Sequence, residues 1–290
     1  MIRSLLMGAA CALNLTTAAL AEDQSYPDAA AIVSVGGPVT EILFALDAGQ
    51  RVIARDTTSM FPAEAMALPD VGYMRRLSPE GVLSVGPDLI IARHTSGPVE
   101  TLDLLRAASV PVVLVRDGFS GEAVSAAIRT VGTAIGAEDK AEALAGEVEA
   151  DLAALASEIA KVGHKKRVMF ILSNDGGRLN VAGRNTGADG IITLAGATNV
   201  MAESYEGYKL VNDEAIIEAQ PDLVLMMSGR GDHAGRKEEI LTLPAIMPTP
   251  AGKNGAFHVI DGAALGFGPR TAEFARELHQ AIYGTEAVSH

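Results

Sequence analysis

"SPEGVLSVGPDLIIA" occupies residues 78–92 and "NDEAIIEAQPDLVLM" residues 212–226, and the two align without a gap. Each opens on a side chain able to accept from the free N–H groups of a first helical turn, Ser78 in one copy and Asn212 in the other. A carboxylate follows (Glu80, Glu214) where it complements the positive end of a helix. Pro79 takes the first helical position of the first copy, where its missing N–H is no loss. Each copy then passes through a short helix into Pro-Asp-Leu and an apolar run that reads as a strand. Such joints recur in α/β proteins, yet two equivalent joints on either side of a long helix predict two similar lobes facing one another.

The rest of the chain fits that frame. "AIVSVG" (31–36), "RVIARD" (51–56), "PDLIIAR" (87–93) and "VPVVLVR" (110–116) read as strands, alternating with helical "VTEILFALDAG" (39–49) and "VETLDLLRAAS" (99–109). Alternation of this kind implies parallel sheets covered by helices on both faces. "AEDKAEALAGEVEADLAALASEIAKVG" (137–163) carries Leu144, Val148, Leu152, Leu155 and Ile159 at helical spacing. A helix of about 25 residues is roughly 37 Å long, enough to bridge two lobes, although a long surface helix within one domain gives the same pattern. Strand and helix then resume with "KRVMFILS", "GADGIITLAGA", "DEAIIEAQ", "PDLVLMMS", "FHVIDG" and a closing "RTAEFARELHQAIYG". The expected fold is α/β: two Rossmann-like lobes with parallel central sheets, 22–136 and 163–290, joined by one backbone helix over 137–162.

Residues 1–21 read differently. Arg3 precedes an apolar run from Leu5 to Leu20 that ends in Ala19-Leu20-Ala21, a small-x-small pattern followed at once by Glu22 and Asp23. That is the pattern of a secretory signal peptide cleaved after Ala21, and it predicts export to the periplasm. Cys11, the only cysteine, lies inside this run, so the mature chain has neither disulfides nor thiol chemistry. The formal charge of −13 argues against a nucleic-acid partner and against anionic lipid.

Enzyme signatures are missing from the sequence. It has no phosphate-binding Gly-x-x-x-x-Gly-Lys-Ser/Thr loop, no His-Glu-x-x-His and no Gly-x-Ser-x-Gly elbow. "SVGGPVTE" (34–41) lacks dinucleotide spacing and suits a tight strand-to-helix turn. The six histidines are scattered, with no pair at ligand spacing.

One residue stands out by its neighbours. In "DVGYMRRLSPEG" (70–81), Tyr73 sits between Gly72 and a pair of arginines, Arg75 and Arg76. A phenol ionises near pH 10, and a ferric ion together with a nearby guanidinium would favour the phenolate. Taken alone, Tyr73 reads more readily as an ordinary loop aromatic than as a ligand.

"SVGGPVTEILFALDAGQRVIARDTTSMFP", "LPDVGYMRRLSPEGVLSVGPDLIIA", "NVAGRNTGADGIITLAGATNV", "YEGYKLVNDEAIIEAQPDLVLM" and "LGFGPRTAEFARELH" together carry a wider resemblance. The chain resembles the periplasmic hemin-binding proteins (HmuT-type) of bacterial ABC heme importers, a branch of the helical-backbone (class III) substrate-binding proteins. The resemblance implies a protein that performs no catalysis and carries ferric heme to a membrane permease and its ATPase, working as a monomer downstream of a TonB-dependent outer-membrane receptor. It implies Tyr73 as the iron ligand and Arg75 beside the iron or a propionate. Some members place a histidine in a Ser-His-Gly-Gly segment of the second lobe. This chain has Ser173-Asn174-Asp175-Gly176-Gly177 instead, so Asn174 occupies that pocket position and five-coordinate iron on Tyr73 is expected. Tyr208 and Arg270 are implied pocket residues, with Lys209 and Arg230 near the same wall. Glu80 and Glu214 match the docking carboxylates that meet permease arginines. Ferric siderophore or cobalamin carriers share the fold, and a periplasmic enzyme using Tyr73 as a base is the reading from another class.

Overall fold

The computed structural model describes residues 25–228 and 236–284. The predicted signal segment and Arg230 lie outside the described residues. The first lobe carries β1 (Ile32–Val35), β2 (Val52–Arg55), β3 (Leu89–Arg93) and β4 (Val112–Val115), all parallel in the order β2-β1-β3-β4. Its helices are α1 (Gly37–Ala45), α2 (Pro79–Leu83), α3 (Val99–Ala107) and α4 (Gly121–Ile135). The α5 helix (Glu138–Ile159) runs 22 residues, about 33 Å, and packs against α4 on one side and the last helix of the second lobe on the other. This is the backbone helix expected from the apolar periodicity of 137–163.

The second lobe holds β5 (Arg167–Asp175), β6 (Arg178–Ala182), α6 (Gly187–Leu194), β7 (Thr198–Asn199), β8 (Tyr208–Val211), α7 (Asp213–Ala219), β9 (Leu223–Met227), α8 (Lys237–Leu241), α9 (Pro250–Asn254), β10 (Phe257–Ile260) and α10 (Thr271–Tyr283). Its sheet follows the order β10-β9-β5-β6-β8. Here the expectation of a purely parallel sheet needs correcting. β10, β9 and the first half of β5 are parallel, whereas β5-β6 and β6-β8 are antiparallel. The cause is local: Gly176 (φ 61) and Gly177 (φ 92) form a two-residue turn that folds the chain straight back after Asp175. The hairpin extends β5 beyond the parallel part of the sheet, and β8 closes its outer edge.

The duplicated stretch has the same physical role in both lobes. Ser78 Oγ accepts from Gly81 N at 3.0 Å, and Asn212 Oδ1 accepts from Ala215 N at 3.0 Å, so each caps its helix from the same offset. The Pro-Asp pair then ties the next strand to the lobe's first strand. Asp88 accepts from Ala30 N and Ala31 N at 2.8 and 2.9 Å and donates its own N–H to Ala31 O. Asp222 accepts from Arg167 N at 2.8 Å and donates to Arg167 O at 2.7 Å. In consequence Leu89 pairs with Ile32, and Leu223 pairs with Val168, at matching places in the two sheets.

The lobes are fused at their base. One core cluster runs from Val39 and Ile42 on α1 through Ile128 (α4) and Leu155 (α5) to Ile191 (α6) and Leu278 (α10). Gly190 makes the closest approach possible: a Cβ there would sit 2.5 Å from Phe119 O and 2.6 Å from the Phe267 ring. Any side chain at this position would push the lobes apart.

Candidate functional site

The loop bearing Tyr73 is fastened along its length. Val71 N donates to Arg55 O, Thr57 N to Gly72 O, Gly97 N to Met74 O and Leu77 N to Gly97 O, all between 2.8 and 3.0 Å. Arg55 adds an ion pair to Asp70 at 3.0 Å. Gly72 adopts φ 100, a conformation side chains resist, and so turns the chain ahead of the tyrosine. Val71, Met74 and Leu77 enter the first-lobe core, leaving Tyr73, Arg75 and Arg76 outside. Tyr73 is 41% exposed. Its hydroxyl and the Arg75 guanidinium make no hydrogen bond or ion pair to protein among the described residues. The fold thus presents an unengaged phenol and an unengaged cation on a rigid support.

Apolar surface adjoins them. Met60 and Phe61 stand exposed on the loop that Thr57 and Thr58 anchor to Gly72 and Met74. The sequence did not single out these two residues, because nothing local in "DTTSMFP" separates an exposed apolar loop from a buried one.

The β6–β8 edge of the second lobe carries two more of the residues singled out in the sequence, Tyr208 and Lys209. Tyr208 is partly exposed, its ring edge-on to Phe170 with centroids 6.4 Å apart. Burial pushes the Tyr208 phenol above its usual range, while Thr186, the Ala188 backbone and the charge of Arg75 pull it back. Arg75 of the first lobe is thus near enough to Tyr208 of the second to act on it electrostatically. Lys209 points to the other side of its strand, with Nζ 5.3 Å from the centroid of the Tyr205 ring.

The remaining expected pocket residues are already engaged by protein. Asn174 donates from Nδ2 to Glu239 at 2.7 Å and accepts Gly177 N at 2.9 Å, so it braces the hairpin turn. Arg270 forms a two-pronged pair with Glu41 across the lobes and lies 3.8 Å above the Phe61 ring. Burial lifts the Glu41 carboxyl above its usual range, with Arg270 pulling the other way. Glu80 and Glu214 stand exposed at the starts of α2 and α7. Among the described residues the Glu80 side chain accepts only the Ser78 hydroxyl, at 3.1 Å. Among the described residues no group of three metal-ligating His, Cys, Asp or Glu side chains gathers. No described helix is long and apolar enough to cross a membrane.

Residues 32–264 match the family described as periplasmic binding protein, which takes in both lobes and the helix between them. The chain belongs to the periplasmic binding protein family. Within it, the fold is similar to that of the periplasmic heme-binding protein RhuT from Roseiflexus sp. RS-1 in apo form. Identity is 37%, coverage is 87% of this chain and 97% of that one, and the TM-score is 0.83. A second periplasmic heme-binding protein, BhuT, solved in complex with two hemes, is 33% identical over 87% of this chain and 97% of its own, with TM-score 0.82. Among curated relatives, the vitamin B12-binding protein of Pectobacterium atrosepticum is 26% identical over 81% of this chain and 83% of that protein.

Proposed function

We propose that this chain captures ferric heme between its lobes and delivers it to the permease of an ABC importer. The observation that carries this reading is the Tyr73 hydroxyl: exposed, unpaired and held on a fastened loop beside the unpaired Arg75. A phenolate is a strong ligand for ferric iron and serves as an axial heme ligand elsewhere. Met60 and Phe61 supply apolar contact for a porphyrin face. Greater likeness to heme-binding structures than to cobalamin binders supports heme as the cargo. With Asn174 committed to Glu239 and Gly177, Tyr73 serves as the one protein ligand. Arg75 balances the phenolate or a propionate, and Tyr208 flanks the ligand from the other wall. Arg270 acts behind the pocket, holding Glu41 and bracing Phe61. Glu80 and Glu214, one on each lobe, dock to permease arginines, and the ATPase of the importer drives transfer. The protein acts as an exported monomer in the periplasm, fed by an outer-membrane receptor, and catalyses no reaction.

Hemin titration of the purified mature protein tests this. Saturable one-to-one binding with a high-spin ferric tyrosinate spectrum is expected, and Tyr73→Ala should abolish that spectrum. An unchanged spectrum in Tyr73→Ala would remove the assignment. The vitamin B12-binding relatives motivate a parallel titration with cyanocobalamin. Tight cobalamin binding that survives Tyr73→Ala would favour that cargo instead.

A further inference from the structure

Asp56 follows β2 and is fully buried, yet no cation among the described residues pairs with its carboxylate. Arg55 beside it pairs with Asp70 and reaches only the Asp56 backbone oxygen, at 3.0 Å. Four donors converge on the carboxylate instead. Oδ1 accepts from Gly36 N at 2.8 Å and Ser59 Oγ at 2.7 Å. Oδ2 accepts from Thr58 N at 3.0 Å and Thr58 Oγ1 at 2.7 Å. Behind Ser59 stand two more buried hydroxyls, Thr40 and Ser34, linked in one chain that ends on the same carboxylate. Taking a carboxylate out of water is costly unless its oxygens are bonded. Here every bond runs to the β1–α1 turn or to residues 58 and 59.

The segment so anchored holds both neighbours of Tyr73. Thr57 N donates to Gly72 O at 3.0 Å. Thr58 Oγ1, while bonded to Asp56, accepts from Gly37 N at 3.3 Å and lies 3.9 Å from Met74 Sδ. The Tyr73 hydroxyl has no hydrogen bond to protein among the described residues, so its aim is inherited from Gly72 and Met74. We propose that Asp56 is a positioning residue of the ligand site: through Thr57 and Thr58 it fixes the direction from which the Tyr73 phenol meets the iron of ferric heme. This rests on the heme reading above. Groups that orient a metal ligand control how firmly it binds, without touching the metal themselves. Val71 and Met74 keep their own backbone bonds to Arg55 and Gly97, so loss of the Asp56 set should shift the phenol rather than melt the loop.

Two readouts test this: the rate at which bound hemin passes to excess apomyoglobin, and the tyrosinate absorption band. Thr58→Val keeps the side-chain shape and removes the hydroxyl. It should release hemin about tenfold faster, the low end for losing a group that orients a metal ligand, with a shifted band. Thr58→Ser restores the hydroxyl and should recover most of the native rate. Asp56→Asn should move rate and band in the same sense as Thr58→Val, and the two Thr58 variants carry the test whether or not Asp56→Asn folds. In a Tyr73→Phe background Thr58→Val should have no further effect on release, because the ligand it aims is gone. Asp88→Ala loosens the same lobe at the opposite end of its sheet, and should lower the melting temperature without changing release. Three results would each overturn the assignment even with Tyr73 binding intact: native release and band in Thr58→Val, equal acceleration by Thr58→Val in the Tyr73→Phe background, or acceleration in Asp88→Ala as large as in Thr58→Val. Failure of the native protein to bind hemin would overturn the heme reading and this inference together.

Discussion

Arg270 reaches across the base of the cleft to Glu41, 229 residues earlier in the chain, with Nη2–Oε1 at 2.7 Å and Nε–Oε2 at 3.2 Å. The pair joins the lobes where the Gly-Phe-Gly-Pro-Arg turn meets α1. Arg270→Met should destabilise the protein by about 3 kcal/mol, the low end for a broken buried pair, because a quarter of the arginine side chain stays exposed. Glu41→Leu combined with Arg270→Met should recover most of that loss, since no charge is then stranded. Urea unfolding of the two variants provides the comparison. A double variant no better than Arg270→Met would mean that packing, not charge, sets the cost.

The same pair gives a pH signature. Burial raises the Glu41 carboxyl above its ordinary 4.5. Just above that value the native state binds a proton that the unfolded chain has released, so this group adds stability as pH falls through its folded pKa. The gain is complete below the unfolded pKa. Without Arg270 the opposing pull disappears, so the deficit of Arg270→Met should shrink between pH 7 and about pH 4.5. Urea midpoints at the two pH values measure it. A deficit independent of pH would show that Glu41 is not the stranded charge.

Tyr73→Phe separates ligand chemistry from folding. The hydroxyl has no protein partner, so the ligand-free variant should unfold within about 0.5 kcal/mol of the native protein. Its hemin complex should nonetheless lack tyrosinate absorption. A large loss of stability would mean that the hydroxyl serves the fold.

Asp88 and Asp222 should behave as equivalents. Each joins the backbone at the start of its lobe's first strand, so Asp88→Ala and Asp222→Ala should each cost about 1–3 kcal/mol. Thermal melts with both variants would show shifts of similar size. A silent variant in either lobe would break the structural equivalence of the two joints.

Glu80→Lys and Glu214→Lys address delivery. Both carboxylates are exposed, and reversal should cost each helix at most about 1 kcal/mol. Hemin affinity should hold while uptake by whole cells falls. Undiminished uptake in the double variant would exclude the docking role.

The parts of this molecule legible in the sequence are those fixed by neighbours in the chain. Ser78 and Asn212 cap their own helices, and Asp88 and Asp222 follow prolines that end them, so the two-lobed plan could be read from one repeated stretch. The α5 helix declared itself through its own periodicity. The antiparallel edge did not. Gly176-Gly177 is a recognisable turn, but Arg178–Ala182 is five residues long, too short for its alternation to stand clear of a loop. Side chains whose role depends on a distant partner were harder still. The resemblance implied Arg270 as a pocket residue, but no local feature could reveal its pairing with Glu41, 229 residues away.

The Tyr73 loop is tied to Arg55, Thr57 and Gly97 before any ligand arrives. Its ordering is therefore complete at folding, and an incoming molecule need not wait for a segment to settle. Capture should be limited by encounter, and differences in affinity should appear in how long the complex lasts. On the heme reading, a support tied this firmly should make spontaneous release slow. Faster unloading should then come from a partner that grips both lobes and strains the core they share at their base.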